Sequence, residues 1–257
     1  MKQSKPLSIL LSVLTALLVL TGSVAVPLLC RPFYYAHIAP LRLEEYGATA
    51  EQIRLAYDQM MDFCLGLRPD FAAGGLIFSE EGAAHFADVR TLFLLDLGVL
   101  GVSLVALLGT ALVMRGKKLR PYAFRGRGPG FWGAVGLAVV FVAVGALAAV
   151  DFEGAFVVFH TLFFPGKTNW LFDWRVDPII LLLPEQFFMN CAILILGLIL
   201  MWCAALIGVD LWAGKRLARQ RKQLELAQKL AAELGGCQGC PSANQPGGCA
   251  GCGGNAE

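Results

Sequence analysis

The sequence predicts an all-α integral membrane protein with four transmembrane helices and two helical extracytoplasmic segments. Hydrophobic residues make up 57% of the 257 residues and charged residues only 16%, and the mean hydropathy is +0.63. A soluble core of this length would not bury so much apolar material. Apolar stretches of about 18 residues or more, the length that crosses a bilayer, occur four times, at residues 7–29, 92–114, 131–150 and 187–212. The net charge of +2 is too small to indicate a nucleic-acid partner.

The first apolar stretch resembles a signal peptide, because Lys2 and Lys5 precede it and small residues ending at Ala25 form a cleavage-type motif. The stretch continues to Leu29, which is long for a signal peptide. We therefore predict a retained signal anchor rather than a cleaved segment. Cys30 follows a leucine where a lipidation signal requires a small residue, so lipidation of Cys30 is not expected.

The orientation in the membrane follows from the connecting segments, because cytoplasmic loops carry an excess of Lys and Arg. The connection at residues 115–127 contains basic residues and no acidic residue, and residues 215–222 are also basic. Both segments are predicted to be cytoplasmic, which places both termini in the cytoplasm. The connections at residues 30–90 and 151–186 then lie on the outer side, where acidic residues offset the arginines.

The first outer segment contains two helix starts. Thr49 and Gln52 have the spacing of a capping box, and an amphipathic helix is predicted to follow, with its apolar face against the membrane surface or the bundle: Ile53, Tyr57, Met60 and Cys64. Ser79 is the second N-cap candidate, with Glu80 and Glu81 suited to the first helical turn. This second helix is expected to lead into the second span.

His85 lies on this second helix, just above the membrane. Asp88 is three residues further on and shares its face, so it is suited to orient the imidazole or raise its pKa, while Arg90 lies at the level of the lipid headgroups. This arrangement suits a general base. The alternative is an interfacial His and Arg that contact lipid phosphates, and this segment alone favours that alternative.

The third connection is strongly aromatic, as is typical of a bilayer interface. Within it, Glu153 and His160 are seven residues apart and share one helical face in an apolar stretch. Ionisable groups at membrane depth are costly and usually functional, so a functional role is favoured for this pair. Residues 179–183 are apolar but too short to span, and they are expected to form a re-entrant or interfacial piece.

Several short motifs follow one another in order along the two outer segments. They are IFSEE at 77–81 and HFADVR at 85–90 in the first, and FHTLFF at 159–164, NW at 169–170, Asp177 and LPEQFF at 183–188 in the second. The order of these motifs, with two spans between the two groups, resembles that of the bacterial lipoprotein intramolecular transacylase family. The resemblance covers roughly residues 7–212 and leaves out the cysteine-rich tail.

The resemblance implies an acyltransferase of the bacterial cell membrane with its active site on the outer face. It would move the sn-2 acyl chain of a lipoprotein's S-diacylglyceryl cysteine to the α-amino group of the same cysteine and give a lyso-form lipoprotein. The implied partners are diacylated lipoprotein N-termini and membrane lipid. No protein nucleophile is required, and no cofactor is expected for catalysis.

This chemistry needs a base for the amine proton, an acid for the departing oxygen and donors for the oxyanion. We predict His85 as the general base and His160 as its partner acid or oxyanion donor, with exchangeable roles. Five further residues are predicted to support the site or bind substrate: Asp88, Arg90, Glu153, Asn169 and Trp170. His37, the remaining histidine, is assigned to the membrane interface.

The C-terminal region contains a doubled C-x-x-C motif in a Gly-rich segment, formed by Cys237, Cys240, Cys249 and Cys252. Four thiolates suit one zinc ion, but the gap between the pairs is short, and a reduced cytoplasmic tail without metal is the alternative. Either way the tail is not catalytic. We divide the chain into a transacylase domain, a cytoplasmic amphipathic helix and this tail, at residues 1–212, 213–236 and 237–257.

Two other function classes are consistent with four spans. A membrane thiol oxidoreductase would need its reactive cysteines to face an oxidising compartment or a quinone, and the predicted cytoplasmic location of the tail argues against it. A non-catalytic scaffold or transporter subunit would not need its histidines together. Convergence of His85 and His160 on one pocket would therefore favour the enzyme.

Overall fold

The computed structural model describes residues 3–235, and this part of the chain is mostly helical. The predicted ligands Cys237, Cys240, Cys249 and Cys252 lie outside the described residues. Helices α1 to α7 are Lys5–Leu29, Arg31–Tyr35, Ala50–Cys64, Glu80–Lys117, Pro129–Val150, Phe152–Phe163 and Glu185–Gly235. Two 3-10 turns, Leu43–Tyr46 and Pro178–Leu182, and a parallel pair of short strands, β1 (Gln3–Ser4) and β2 (Arg120–Pro121), complete the described elements.

Four of these helices, α1, α4, α5 and α7, are long and apolar enough to cross a membrane. This confirms the predicted all-α membrane fold with four spans. The 38 residues of α4 extend about 57 Å at 1.5 Å per residue, whereas the hydrocarbon core is about 30 Å thick. The polar first turns of α4 therefore stand outside the hydrocarbon, and the apolar run begins near Leu92.

The chain forms two units, Met1–Gly208 and Val209–Glu257. The first unit contains α1 to α6 and the beginning of α7. In the second unit, the described residues continue α7 as helix, and leucines at positions 217, 224 and 230 are exposed.

Helix α1 is the centre of the membrane bundle, which we define as α1, α5, the apolar part of α4 and α7 up to Gly208. Both α4 and α5 pack against α1. The Ser12 hydroxyl donates to the Pro129 carbonyl at 2.8 Å, and a Cβ atom at Gly133 would lie 2.6 Å from the Ser12 carbonyl oxygen. The close approach of α5 to α1 therefore requires glycine at position 133.

The outer segments form a second hydrophobic core, which we call the outer cap. It contains α2, the turn Leu43–Tyr46, α3, the first turns of α4, the turn Pro178–Leu182 and the start of α7. The rings of Tyr34 and Tyr57 stack with centroids 3.7 Å apart, and the Tyr34 hydroxyl donates to the Leu182 carbonyl at 2.8 Å. The cap thus ties together segments that are far apart in sequence.

Two expectations about the outer segments concern α3 and the turn Pro178–Leu182. The capping box is present, with Gln52 N–H donating to Thr49 Oγ1 and Thr49 N–H to Gln52 Oε1, and the apolar face of α3 packs into the outer cap. The segment at residues 179–183, expected as a re-entrant or interfacial piece, lies in the turn Pro178–Leu182. Ile179 and Leu182 are buried in the outer cap, where this turn packs on α3 and on the turn Leu43–Tyr46. Its position relative to the membrane stays a prediction.

Candidate active site

The helix that carries His85 is fixed at its first residue by the third connection. The Ser79 hydroxyl oxygen accepts the Gly82 N–H at 2.9 Å. Asp177 in turn accepts the Ser79 N–H at 2.8 Å and the Ser79 hydroxyl at 2.7 Å. Asp177 is itself buried. The position of His85, one turn further along α4, therefore depends on a carboxylate about a hundred residues away in sequence.

His160 lies in the last turn of α6, a helix capped by the Asp151 carboxylate, which accepts the Gly154 N–H at 2.8 Å. The Nδ1 atom of His160 is 2.8 Å from the Phe156 carbonyl oxygen. Since a carbonyl can only accept, Nδ1 carries the proton, and Nε2 of the neutral ring is an acceptor.

The two imidazoles converge. Their ring centroids are 5.7 Å apart with planes at 31°, and both side chains are buried, at 4% exposure for His85 and 7% for His160. One comes from α4 and the other from α6, so only the folded chain brings them together. This convergence favours the enzyme over the scaffold among the functions that the sequence left open.

Aromatic rings enclose the histidine pair. Phe164 packs against both, with centroid distances of 5.1 Å to His85 and 5.7 Å to His160. Trp170 stacks on His160 at 4.7 Å and 28°, and its Nε1–H donates to the Lys167 carbonyl at 3.1 Å. Phe172 packs 5.4 Å from His85. These rings keep water away from the imidazoles and restrict their orientation.

This enclosure decides the charge of the pair. Burial lowers the pKa of His85 to about 4, with smaller contributions from His160 and Lys167 that outweigh the opposing Asp88 carboxylate. Burial also lowers the pKa of His160, although the hydrogen bond to Phe156 opposes this shift. Both rings are thus neutral near pH 7, and repulsion between their charged forms limits the pair to one proton.

Asp88 makes no hydrogen bond to His85, but its charge raises the pKa of His85, the second of the two effects expected of it. Its carboxylate accepts the Lys167 ammonium at 2.5 Å and the Asn169 Nδ2–H at 3.2 Å, and it acts on His85 only through its charge. Burial opposes ionisation of Asp88, but these two hydrogen bonds outweigh it and lower its pKa. Asp88 therefore anchors the loop that carries Asn169 and Trp170.

Arg90 and Glu153 lie away from the histidine pair. The Arg90 guanidinium donates to the Arg68 and Pro69 carbonyls and lies 5.0 Å from the Phe63 ring centroid, so its contacts fasten the loop before α4. Glu153 is exposed in the first turn of α6. It is about 10 Å from His160 along the helix axis, too far to hydrogen-bond it.

Two buried polar atoms at the site have no hydrogen-bond partner among the described residues: His85 Nδ1 and Asn169 Oδ1. Unsatisfied buried groups are uncommon and often have a functional reason. Asn169 already donates to Asp88 through Nδ2, so its oxygen is held in place as an acceptor. A substrate with N–H groups would fit this pair of atoms.

Sequence reasoning missed the roles of Lys167 and Asp177. Asp177 is one of the residues on which the family resemblance rests, and it precedes Pro178. Nothing nearby in sequence indicates that it binds Ser79. Lys167 follows Gly166 in an outer loop, and its partner Asp88 is 79 residues away. The proximity of Lys167 to the Asn169–Trp170 motif was the available signal.

Residues 3–235 contain no group of three or more His, Cys, Asp or Glu side chains that could hold a metal ion. Their cysteines, at positions 30, 64, 191 and 203, are not paired in disulfides. Burial raises the pKa of the Cys64 thiol to about 12, with a smaller opposing effect of Arg90. Cys64 is therefore an unreactive thiol.

Comparisons with known proteins give the family and the fold of this chain. The family model described as lipoprotein intramolecular transacylase Lit matches residues 9–188. A solved structure of the membrane-integral transacylase Lit from Bacillus cereus is 24% identical and has a TM-score of 0.71, covering 85% of this chain and 96% of that chain. The solved structure of a variant of that protein with a histidine-to-arginine mutation is 23% identical and has a TM-score of 0.66, covering 84% of this chain and 92% of that chain. Among curated proteins, no match was found.

Proposed function

Because the chain belongs to the lipoprotein intramolecular transacylase family and is a membrane acyltransferase, we propose that His85 and His160 form its reacting centre. The observation that carries this proposal is the convergence of the two buried, neutral imidazoles from α4 and α6. The supporting residues are those that the structure brings to this pair, namely Asp88, Lys167, Asn169 and Trp170.

The reaction moves one proton from nitrogen to oxygen in the net and needs no protein nucleophile. The α-amino nitrogen of the lipidated cysteine attacks the carbonyl of the sn-2 ester, and a C–N bond forms. The ester C–O bond then breaks, and the proton lost by nitrogen is returned to the glycerol oxygen. Since amine and ester belong to one molecule, orientation contributes strongly, and effective molarities reach about 10⁵ M or more in such reactions.

The tautomer of His160 supports a reversal of the roles predicted from sequence. Its Nδ1–H is held by the Phe156 carbonyl, which leaves Nε2 as acceptor and stabilises the protonated ring. His160 is then the base that takes the amine proton. Burial lowers the pKa of His85 to about 4, so His85 is a strong acid once it has received this proton from His160. It then gives the proton to the departing glycerol oxygen, and both rings end neutral.

Asn169 completes the site from the other side of the amine. Its buried Oδ1 accepts the second N–H of the attacking amine, which turns the nitrogen lone pair towards the ester carbonyl. Asp88 and Lys167 hold the Asn169 loop, and the Trp170 ring fixes the plane of His160. The aromatic walls exclude water, so hydrolysis of the ester does not compete.

The position of α6 supports a lipid substrate that reacts without leaving the bilayer. The side of α6 away from His85 exposes apolar side chains, including Val158 and Leu162, as expected for a helix in the membrane interface. The ester groups of a lipid lie at this depth. From the basic segments at 115–127 and 215–222 we place both termini in the cytoplasm of a bacterial cell and the site on the outer face.

The proposal is tested with purified full-length protein and a synthetic diacylated lipopeptide. Acyl migration leaves the mass unchanged, so fragmentation mass spectrometry locates the chain on glycerol or on nitrogen. His160→Gln and His85→Gln are each expected to slow conversion at least about 100-fold. The matched control is His37→Gln, because His37 packs against Phe33 and Phe187 in the outer cap. Conversion by His160→Gln within tenfold of the unaltered protein would contradict the proposal.

A further inference from the structure

A cavity of about 340 Å³ adjoins the histidine pair on the side of the α4 N-terminus. Phe172 lines the cavity and also packs 5.4 Å from His85. Asn169 and Lys167 line it and also hold Asp88. Neither histidine is among the lining residues. The cavity is therefore next to the reacting centre but separate from it.

The chemistry of the substrate indicates what lies there. The lipidated cysteine carries three groups: the amine, which reacts; the thioether, which leads to the lipid; and the carbonyl, which leads to the rest of the lipoprotein. The apolar face of α6 is the lipid side of the site, whereas the cavity walls contain Thr168, Asn169 and the charged groups of Glu81 and Lys167. Leu171 and Phe172 form the apolar part of the wall. A cavity with this mixed lining, at the low end of the roughly 300–1,000 Å³ of ligand sites, suits a short stretch of peptide.

The charges on the cavity walls are unequal. The Lys167 ammonium is already paired with Asp88, and Asp177 accepts both hydrogen bonds from Ser79. Glu81 is exposed and makes no ion pair with the described residues. Both oxygens of the Asp177 carboxylate are thus occupied by Ser79, and Glu81 is the wall carboxylate that is exposed and free to bind a charged side chain of a peptide.

We propose that this cavity binds the first residues after the lipidated cysteine, and that Glu81 makes it favour basic over acidic side chains there. This inference rests on the proposed function, since it assigns a second part of the same substrate to a second part of the same site. It makes the enzyme selective among lipoproteins by the charge of their N-terminal peptide.

The test uses three diacylated lipopeptides that differ only in the residues after the cysteine, which are lysine-rich, glutamine-rich or glutamate-rich. Purified full-length protein at low salt is expected to convert the lysine peptide about fivefold faster than the glutamate peptide. This ratio should shrink as salt is added. Glu81→Gln should bring the ratio close to one, and Glu81→Lys should invert it.

Glu51→Lys is the matched control. Glu51 is an exposed acid in the first turn of α3 and does not line the cavity, so the ratio should not change. Equal rates for the three peptides, or the same change in ratio with Glu51→Lys as with Glu81→Lys, would overturn the inference while leaving the proposed function intact. If the glutamine peptide is not converted at all by the unaltered protein, the proposed function itself fails, and the inference with it.

Discussion

Tyr34, Leu43 and Ile53 in the outer cap have no exposed surface, whereas Leu147 and Val150 at the outer end of α5 are 73% and 88% exposed. The cap buries its apolar side chains against one another, as a soluble domain does. The bundle turns most of its apolar side chains outwards to lipid, which is as apolar as the side chains themselves. The same residue types thus contribute differently to stability in the two regions.

The comparison explains where the site lies. Catalytic groups must be held within fractions of an ångström, and packing of that quality exists in the cap. His85, Asp177 and Phe172 belong to the cap side of the site, while His160 comes from α6 at the membrane interface. The enzyme therefore needs the cap for geometry and the bundle to bring the lipid-bearing substrate to it.

The largest expected effect separates the two regions by stability. Ile53→Ala leaves a cavity in the outer cap and is expected to lower the free energy of unfolding by about 2–5 kcal/mol. Leu147→Ala removes a lipid-facing side chain and should change it by less than about 0.5 kcal/mol. Thermal unfolding of both variants in the same detergent measures the difference. Equal losses of stability would contradict the difference described between the outer cap and the bundle.

The next effect is a pH dependence of stability that originates in the cap. The pKa of His85 is about 4 in the folded protein and about 6.5 when unfolded, so between these values the unfolded chain binds the extra proton. Stability is therefore lost as pH falls from about 6.5 to 4, on the order of 3 kcal/mol from this group. Melting temperatures measured over this range should fall less steeply in His85→Gln. Identical slopes would show that His85 is not buried as described.

A smaller effect is expected where the third connection holds α4. Asp177→Asn cannot accept the Ser79 hydroxyl with its amide nitrogen, so α4 begins less rigidly. We expect kcat to fall about tenfold, because the position of His85 depends on this start of α4. Ser79→Ala should have a similar effect, and the double variant should not be additive. Additive losses would mean that the two residues act independently.

The smallest effect concerns the ion pair between Asp88 and Lys167, whose side chains are 22% and 49% exposed. A double-mutant cycle with Asp88→Asn and Lys167→Met should give a coupling of about 0.5–1 kcal/mol in kcat/KM. High salt should reduce it. A coupling near zero at low salt would show that the Asn169 loop is held by other contacts.

Local patterns were enough to predict the helical elements. Four long apolar runs predicted the spans, and Thr49, Gln52 and Ser79 marked the starts of α3 and α4, because spacing and capping act within a few residues. The motifs around His85 and His160 also identified the two candidate catalytic residues by resemblance. Whether these two histidines are catalytic stays a prediction until the variants are measured.

Contacts between distant segments were not predictable in the same way. Asp88 was expected to orient His85 or raise its pKa. Its charge does raise that pKa, but its hydrogen bonds go to Lys167 and Asn169 across the site. Residues 179–183 were expected to be a re-entrant or interfacial piece because they are apolar, and their packing on α3 and the turn Leu43–Tyr46 could not be predicted from this segment. Short apolar segments and single charges have several compatible surroundings, and only packing selects one.

The sequence by itself determined that this protein is helical, spans a membrane four times and carries two histidine motifs on the segments that connect the spans. The length and hydropathy of a segment and the charges that flank it are properties of neighbouring residues, so helices and spans can be predicted without coordinates. Only the tertiary structure decided that His85 and His160 meet, that aromatic rings keep both neutral, and that Asp177 fixes the start of α4. These properties depend on distances between segments 75 to 98 residues apart, and burial and electrostatics are functions of such distances.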